Sequence, residues 1–228
     1  MSRENDGSQQ GAKVRAVVFD LDGVIVSTDQ FHYRAWSRLA EQEGIPFAWE
    51  DNDRLRGVSR MESLDILLEK ASREYSLREK REMAERKNGY YRQALESELT
   101  PRDVLPGVRE FMDGLRSAGI KLAVGSSSRN TPMILEKIGL QNYFEAVADG
   151  NDIARSKPDP QVFLIAAERL RVAPEECLVI EDAEAGVAAA VAANMRVLAV
   201  GAAADDQRAD MRARALAEVD WRSLPIRQ

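Results

Sequence analysis

Asp20 and Asp22 stand one residue apart directly after a short apolar run at 14–19. In an extended segment, residues i and i+2 project to the same side, so these two carboxylates converge on one volume. Glu181 and Asp182 leave a second apolar run, 177–180, in the same manner. Four carboxylates facing one crevice repel one another unless a cation sits among them. Hard oxygen donors, with few nitrogen or sulfur ligands available, select Mg²⁺ over zinc. An isolated Asp-x-Asp is commonly a turn or a helix cap. Its place after a strand, together with the second acidic pair, argues against that reading here.

Other strand ends supply groups that suit phosphate. Ser126 and its neighbouring amides follow the run at 120–124, and Lys157 sits in Ser156-Lys157-Pro158. Hydroxyls and amides leading into a helix N-terminus cradle an oxyanion, and a lysine balances both a carboxylate and a phosphate dianion. Taken alone, Ser126 reads equally as a helix cap and Lys157 as a solvated charge.

The elements that must position these groups follow from periodicity. The run at 14–19 is short and β-branched, as a buried parallel strand requires. Phe31, Ala35, Trp36, Leu39 and Ala40 recur at helical spacing, with Gly44 as a left-handed stop before Pro46. Ser59 with Glu62, and Ser76 with Glu79, form capping-box patterns that open two further helices. Residues 28–100 therefore read as helical, and Thr100-Pro101 ends the run. Beyond Pro106-Gly107, helices and strands alternate. Strands are expected at 120–124, 146–148, 177–180 and 196–200, and helices up to Ala118, from Thr131-Pro132, at 160–170 and at 183–193.

Alternation of this kind predicts an α/β fold: a doubly wound parallel-sheet (Rossmann-like) core with an inserted helical-bundle cap. The expected organisation is a flexible tail at 1–12, a core at 13–27 and 100–228, and a helical cap at 28–99. Ligands of open parallel sheets bind beyond the carboxyl ends of the strands, so Asp20, Gly125-Ser126, Asp149 and Glu181-Asp182 are the positions where a site is expected.

Composition bounds the alternatives. The 228-residue chain is 44% hydrophobic and 31% charged, an ordinary globular composition. One cysteine, Cys177, excludes an internal disulfide, and one histidine, His32, excludes a zinc finger or a three-histidine zinc site. A net charge of -6 argues against a general nucleic-acid surface. No segment has the roughly 20 uninterrupted apolar residues of a membrane span, and the polar first eleven residues lack the apolar run of a signal peptide. The expectation is a cytoplasmic monomer acting on small molecules, with no nucleic-acid or membrane partner.

The ordered set Asp20-Leu21-Asp22-Gly23-Val24, Ser126, Lys157-Pro158 and Glu181-Asp182 resembles the haloacid dehalogenase superfamily. Within it, the insert resembles the β-phosphoglucomutase family at Thr28, at Phe31-His32-Tyr33-Arg34-Ala35-Trp36, at Gly57-Val58-Ser59-Arg60 and at Arg86-Lys87-Asn88. The likeness runs from about residue 14 to 200.

The resemblance implies that Asp20 is a nucleophile that becomes an aspartyl phosphate and Asp22 the general acid/base. It places Mg²⁺ on the Asp20 carboxylate, the Asp22 carbonyl and Asp182, with Glu181 nearby or bound through water. Ser126, the Ser127 amide and Lys157 would hold the transferring phosphoryl group. Arg60, Ser128, Arg129 and Asn130 would clamp a second phosphate at the far end of a sugar, where the arginine fork binds bidentately. His32, Trp36, Gly57, Lys87 and Asn88 would shape the sugar site, with Thr28 at the hinge. The implied reaction interconverts β-D-glucose 1-phosphate and glucose 6-phosphate through glucose 1,6-bisphosphate, which also primes the enzyme.

Four positions depart from the family pattern: Ser27 stands for an aspartate, Ser127 for alanine, Arg129 for lysine and Ala183 for a serine or threonine. Two other readings compete, a Mg-dependent sugar-phosphate phosphatase and a catalytically silent binding protein that keeps the fold.

Overall fold

A computed structural model describes residues 13–55 and 58–226; the tail expected at 1–12 and the candidate Gly57 lie outside the described residues. Strands β1 (Ala16–Phe19), β2 (Lys121–Gly125), β3 (Ala146–Ala148), β4 (Cys177–Glu181), β5 (Arg196–Ala199) and β6 (Met211–Arg212) form one parallel sheet in the order β3-β2-β1-β4-β5-β6. The chain runs outward from β1 in one direction through β2 and β3, then returns to β1's other edge with β4. Ligand crevices of doubly wound sheets form at such a reversal.

Alternate residues of the central strands serve two cores. Val17 and Phe19 join Leu122, Val124, Leu178 and Ile180 on one face. Ala16 and Val18 join Ala123, Cys177, Val179 and Val197 on the other. Burial on both faces is why these strands read as continuous apolar runs. Helices α4 (Val108–Ser117) and α5 (Thr131–Lys137) cover the first face. Helices α6 (Gln161–Leu170) and α7 (Glu184–Ala192) cover the second, where Ala166, Ala167, Ala189 and Ala190 allow close approach.

Between β1 and α4 lie α1 (Asp29–Glu43), α2 (Arg60–Leu68) and α3 (Leu77–Glu98). Gly44 ends α1 at φ 67°, and its N–H returns to the Ala40 and Glu41 carbonyls. Both expected capping boxes are formed, Ser59 with Glu62 and Ser76 with Glu79. Trp36, Leu39, Leu64, Leu67 and Met83 make a third core inside this insert. Phe31 and Ala35 of α1, with Tyr91 and Leu95 of α3, instead pack into the sheet's first core. Both helices therefore straddle the junction, which carries their polar side chains over the tip of β1.

One expectation is corrected. The segment 44–55 is not α-helical but contains a 3-10 turn at Trp49–Leu55. The last thirty residues, beyond the reach of the family likeness, contribute β6, and Val14 pairs with Ile226 in an isolated bridge. Leu216, Leu224 and Ile226 are buried there. Their spacing has neither helical nor strand periodicity, because short turns bury them one at a time.

Candidate active site

The β1–β4 ladder runs up to the first acidic residue: the Asp20 N–H donates to the Ile180 carbonyl at 2.9 Å. The Asp20 side chain, at the strand's tip, meets Lys157, whose Nζ lies 2.5 Å from Asp20 Oδ1 and also pairs with Glu181. Lys157 is only 3% exposed. Burial works against its charge, but Asp20 and Glu181 outweigh it and hold the ammonium above its ordinary range. The other oxygen of Glu181 accepts the backbone N–H groups of Asp182 and Ala183 at 2.9 and 3.0 Å. Ala183, the residue before α7, has no hydroxyl to cap the helix, and its own N–H is taken by Glu181. The Lys157–Pro158 peptide bond is cis.

Oxygens of Asp20, Glu181 and Asp182 all lie within 4.8 Å of one another. One ammonium offsets only one of these three charges. Burial, then repulsion from Glu181, Asp20 and Asp22, pushes the Asp182 carboxyl well up. An all-oxygen set with surplus negative charge suits a hard divalent cation, so these residues fit Mg²⁺. Close packing keeps the set together. A Cβ on Gly23 would strike the Asp182 carboxylate, and one on Gly186 would strike Glu181. Gly23 also sits at φ 83°, which favours glycine.

Asp22 turns to the insert. Its Oδ1 accepts the Thr28 N–H and its Oδ2 accepts the Thr28 hydroxyl, both at 2.6 Å. Burial raises the Asp22 carboxyl to about 6 despite those two bonds, a range in which a carboxyl both donates and accepts protons near neutrality. His32 Nε2 lies 4.0 Å from Asp22 Oδ2, and His32 Nδ1 lies 2.7 Å from Lys87 Nζ. Burial, then the charge of Arg60, pulls Lys87 well below the usual lysine range, against a smaller opposing effect of Asp22. Burial, then the charges of Lys87 and Arg60, holds His32 well below the usual imidazole range and keeps it neutral.

Trp36 does not face the crevice. It is 1% exposed in the insert core, and Lys87 Nζ lies 4.6 Å from its ring centroid, so it backs Lys87 instead. Thr28 is fully buried.

The loop after β2 is a run of hydroxyl turns. Ser126 Oγ accepts the Ser128 N–H and Ser128 Oγ accepts the Asn130 N–H, each at 3.2 Å. Asn130 then donates from its side chain to Asn88 Oδ1 at 3.0 Å, tying α3 to the start of α5. Arg129 Nε donates to the Gly150 carbonyl at 3.1 Å. Arg60 opens α2 and holds Glu85 at 2.8 Å, and Arg129 is close enough to lower its basicity, after burial as the larger cause. Two guanidiniums and two amides thus gather from both sides of the junction.

A family model described as haloacid dehalogenase-like hydrolase matches residues 14–194. The chain belongs to that family. It is 42% identical over 224 residues to a β-phosphoglucomutase of Bacillus subtilis strain 168, covering 94% of this chain and 99% of that protein. It is 35% identical over 210 residues to a phosphorylated carbohydrates phosphatase of Thermotoga maritima, covering 90% and 94%. A crystal structure of β-phosphoglucomutase from Clostridium difficile superposes with a TM-score of 0.85 at 38% identity, covering 92% and 94%.

Among haloacid dehalogenase-like folds, then, this one puts its acidic motifs at the tips of β1 and β4, its serine motif after β2, and its insert directly above them. Three residues that motif reading passed over also belong to the site. Glu85 partners Arg60, Gly186 leaves room for Glu181, and Tyr91 donates to Thr28 Oγ1 at 2.9 Å. Tyr91 was detectable in principle, one helical turn after Lys87 on α3.

Proposed function

We propose that the protein is a β-phosphoglucomutase, interconverting β-D-glucose 1-phosphate and glucose 6-phosphate through a phosphorylated Asp20 and glucose 1,6-bisphosphate. The phosphoryl group on Asp20 passes to the sugar 6-hydroxyl, whose proton goes to Asp22. The bisphosphate turns round, Asp20 attacks the phosphorus at position 1, and Asp22 returns the proton to the leaving oxygen. Asp20 is placed for attack with Lys157 Nζ 2.5 Å from its Oδ1. Asp22, raised to about 6, suits a group that carries the proton in part of the cycle.

Ser126, the Ser127 amide and Lys157 are the groups we assign to the transferring phosphoryl. Asp20, Asp182 and the Asp22 carbonyl, with Glu181 alongside, would hold Mg²⁺, which neutralises the gathered carboxylate and phosphoryl charge when bound. We assign residues 28–99 as a cap over a core of 13–27 and 100–228, with Thr28 at the hinge. His32, Lys87 and Asn88 would line the sugar, and Gly57 is kept from the family likeness alone.

The observation that supports a mutase most is the grouping of Arg60, Arg129, Asn88 and Asn130, because a second phosphate needs a clamp that a simple phosphatase lacks. Arg60, Ser128, Arg129 and Asn130 are assigned to it. A phosphatase with water as acceptor is the second reading, supported by the 35% identity to the Thermotoga maritima phosphatase. Incubation with Mg²⁺, β-glucose 1-phosphate and a trace of glucose 1,6-bisphosphate separates them. Glucose 6-phosphate as the main product supports the mutase; mostly free phosphate supports the phosphatase and overturns the mutase.

A further inference from the structure

The Tyr91 side chain is 1% exposed, and its hydroxyl donates to Thr28 Oγ1 at 2.9 Å. The Thr28 hydroxyl in turn donates to Asp22 Oδ2 at 2.6 Å, and the Thr28 N–H donates to Asp22 Oδ1 at 2.6 Å. A hydroxyl carries one proton on a free rotor. With Tyr91 directing its own proton at Thr28 Oγ1, the Thr28 proton has one direction left, towards Asp22.

We propose that Tyr91 is a positioning residue for Asp22, acting through Thr28: it locks the Thr28 hydroxyl as a donor to Oδ2 and so fixes the orientation of the Asp22 carboxyl. Both Asp22 oxygens are then tied to Thr28, and the carboxyl cannot rotate without breaking a hydrogen-bonded chain. The Tyr91 ring is held independently of its hydroxyl. His32 packs on it with ring centroids 4.1 Å apart, and Lys87 Nζ lies 4.8 Å from its centroid. Removing the hydroxyl alone therefore leaves the packing intact.

The inference rests on Asp22 as the general acid/base of the proposed mutase. Tyr91→Phe should lower kcat for β-glucose 1-phosphate about three- to tenfold, the worth of one hydrogen bond, with KM changed less than about twofold. Phosphorylation of Asp20 by acetyl phosphate, whose carboxylate leaving group needs no proton, should be unchanged. In a Thr28→Val background Tyr91→Phe should have no further effect, whereas in Thr28→Ser, which restores the hydroxyl, its effect should return. Equal losses with both phosphoryl donors, or additive losses with Thr28→Val, would overturn the proposal by showing a general structural role. If Asp22→Asn silences sugar turnover while Tyr91→Phe does not touch it, the positioning role alone fails. If Asp22→Asn retains full turnover, the general acid/base assignment fails and the positioning role with it.

Discussion

Lys157 Nζ lies 2.5 Å from Asp20 Oδ1, across 137 residues of sequence. With Glu181 on its other side, this ammonium keeps two buried carboxylates from facing each other uncompensated. Lys157→Met leaves both charges unpaired in place. The expected outcome is a loss of about 3–5 kcal/mol in a urea melt, the usual consequence of breaking a buried pair, with turnover below a hundredth of the original. An unchanged melt would mean that the pair does not form in solution.

Asp20→Asn should abolish the phosphoenzyme as well as turnover, as read by the mass of the protein after acetyl phosphate treatment. An added phosphoryl group on the variant would place the nucleophile elsewhere.

Chelation with EDTA should stop turnover, and Mg²⁺ should restore it. Independently of activity, Mg²⁺ should raise the Tm of the untreated protein by mass action, and Asp182→Asn should remove most of that rise. A metal-induced shift of the same size in Asp182→Asn would exclude Asp182 as a ligand.

Arg60→Ala should raise KM for β-glucose 1-phosphate by about 10- to 100-fold, as loss of a charge-assisted contact predicts. Hydrolysis of acetyl phosphate, which has no second phosphate, should change little. Equal losses with both compounds would rule out a distal clamp.

Glu79 shows how pH should act on the insert. Its carboxyl is held down to about 2, chiefly by the Ser76 N–H, then by Arg73 and the Ser76 hydroxyl. A depressed acid stabilises the fold above its ordinary range near 4.5 and loses that contribution as pH falls towards 2. Glu79→Gln should therefore unfold at lower urea than the parent at pH 7, with the gap narrowing by pH 3.5. A gap that widens on acidification would contradict the sign.

Much of this architecture is legible in the sequence. The capping boxes at Ser59 and Ser76 announced α2 and α3, and Asp20, Ser126 and Asp182 were located from the apolar runs preceding them. Such signals are local: a strand's two-sided burial or a helix's first turn is written in neighbouring residues. Trp36 was less legible, since an aromatic at helical spacing suits a core and a sugar site equally, and only the packing around it decides. β6 was invisible because its two residues acquire strand character from β5 alone.

By itself, the order of residues determined which groups stand at the strand tips and therefore what chemistry the crevice can hold. Tertiary structure alone decided the pairings. Glu181 turns to Lys157 and two backbone amides, and Asp22 is gripped by Thr28 with Tyr91 behind it. Neighbour-to-neighbour spacing encodes direction along the backbone, whereas the choice of partner for a buried charge or hydroxyl depends on which distant segment the packing delivers to within hydrogen-bond distance.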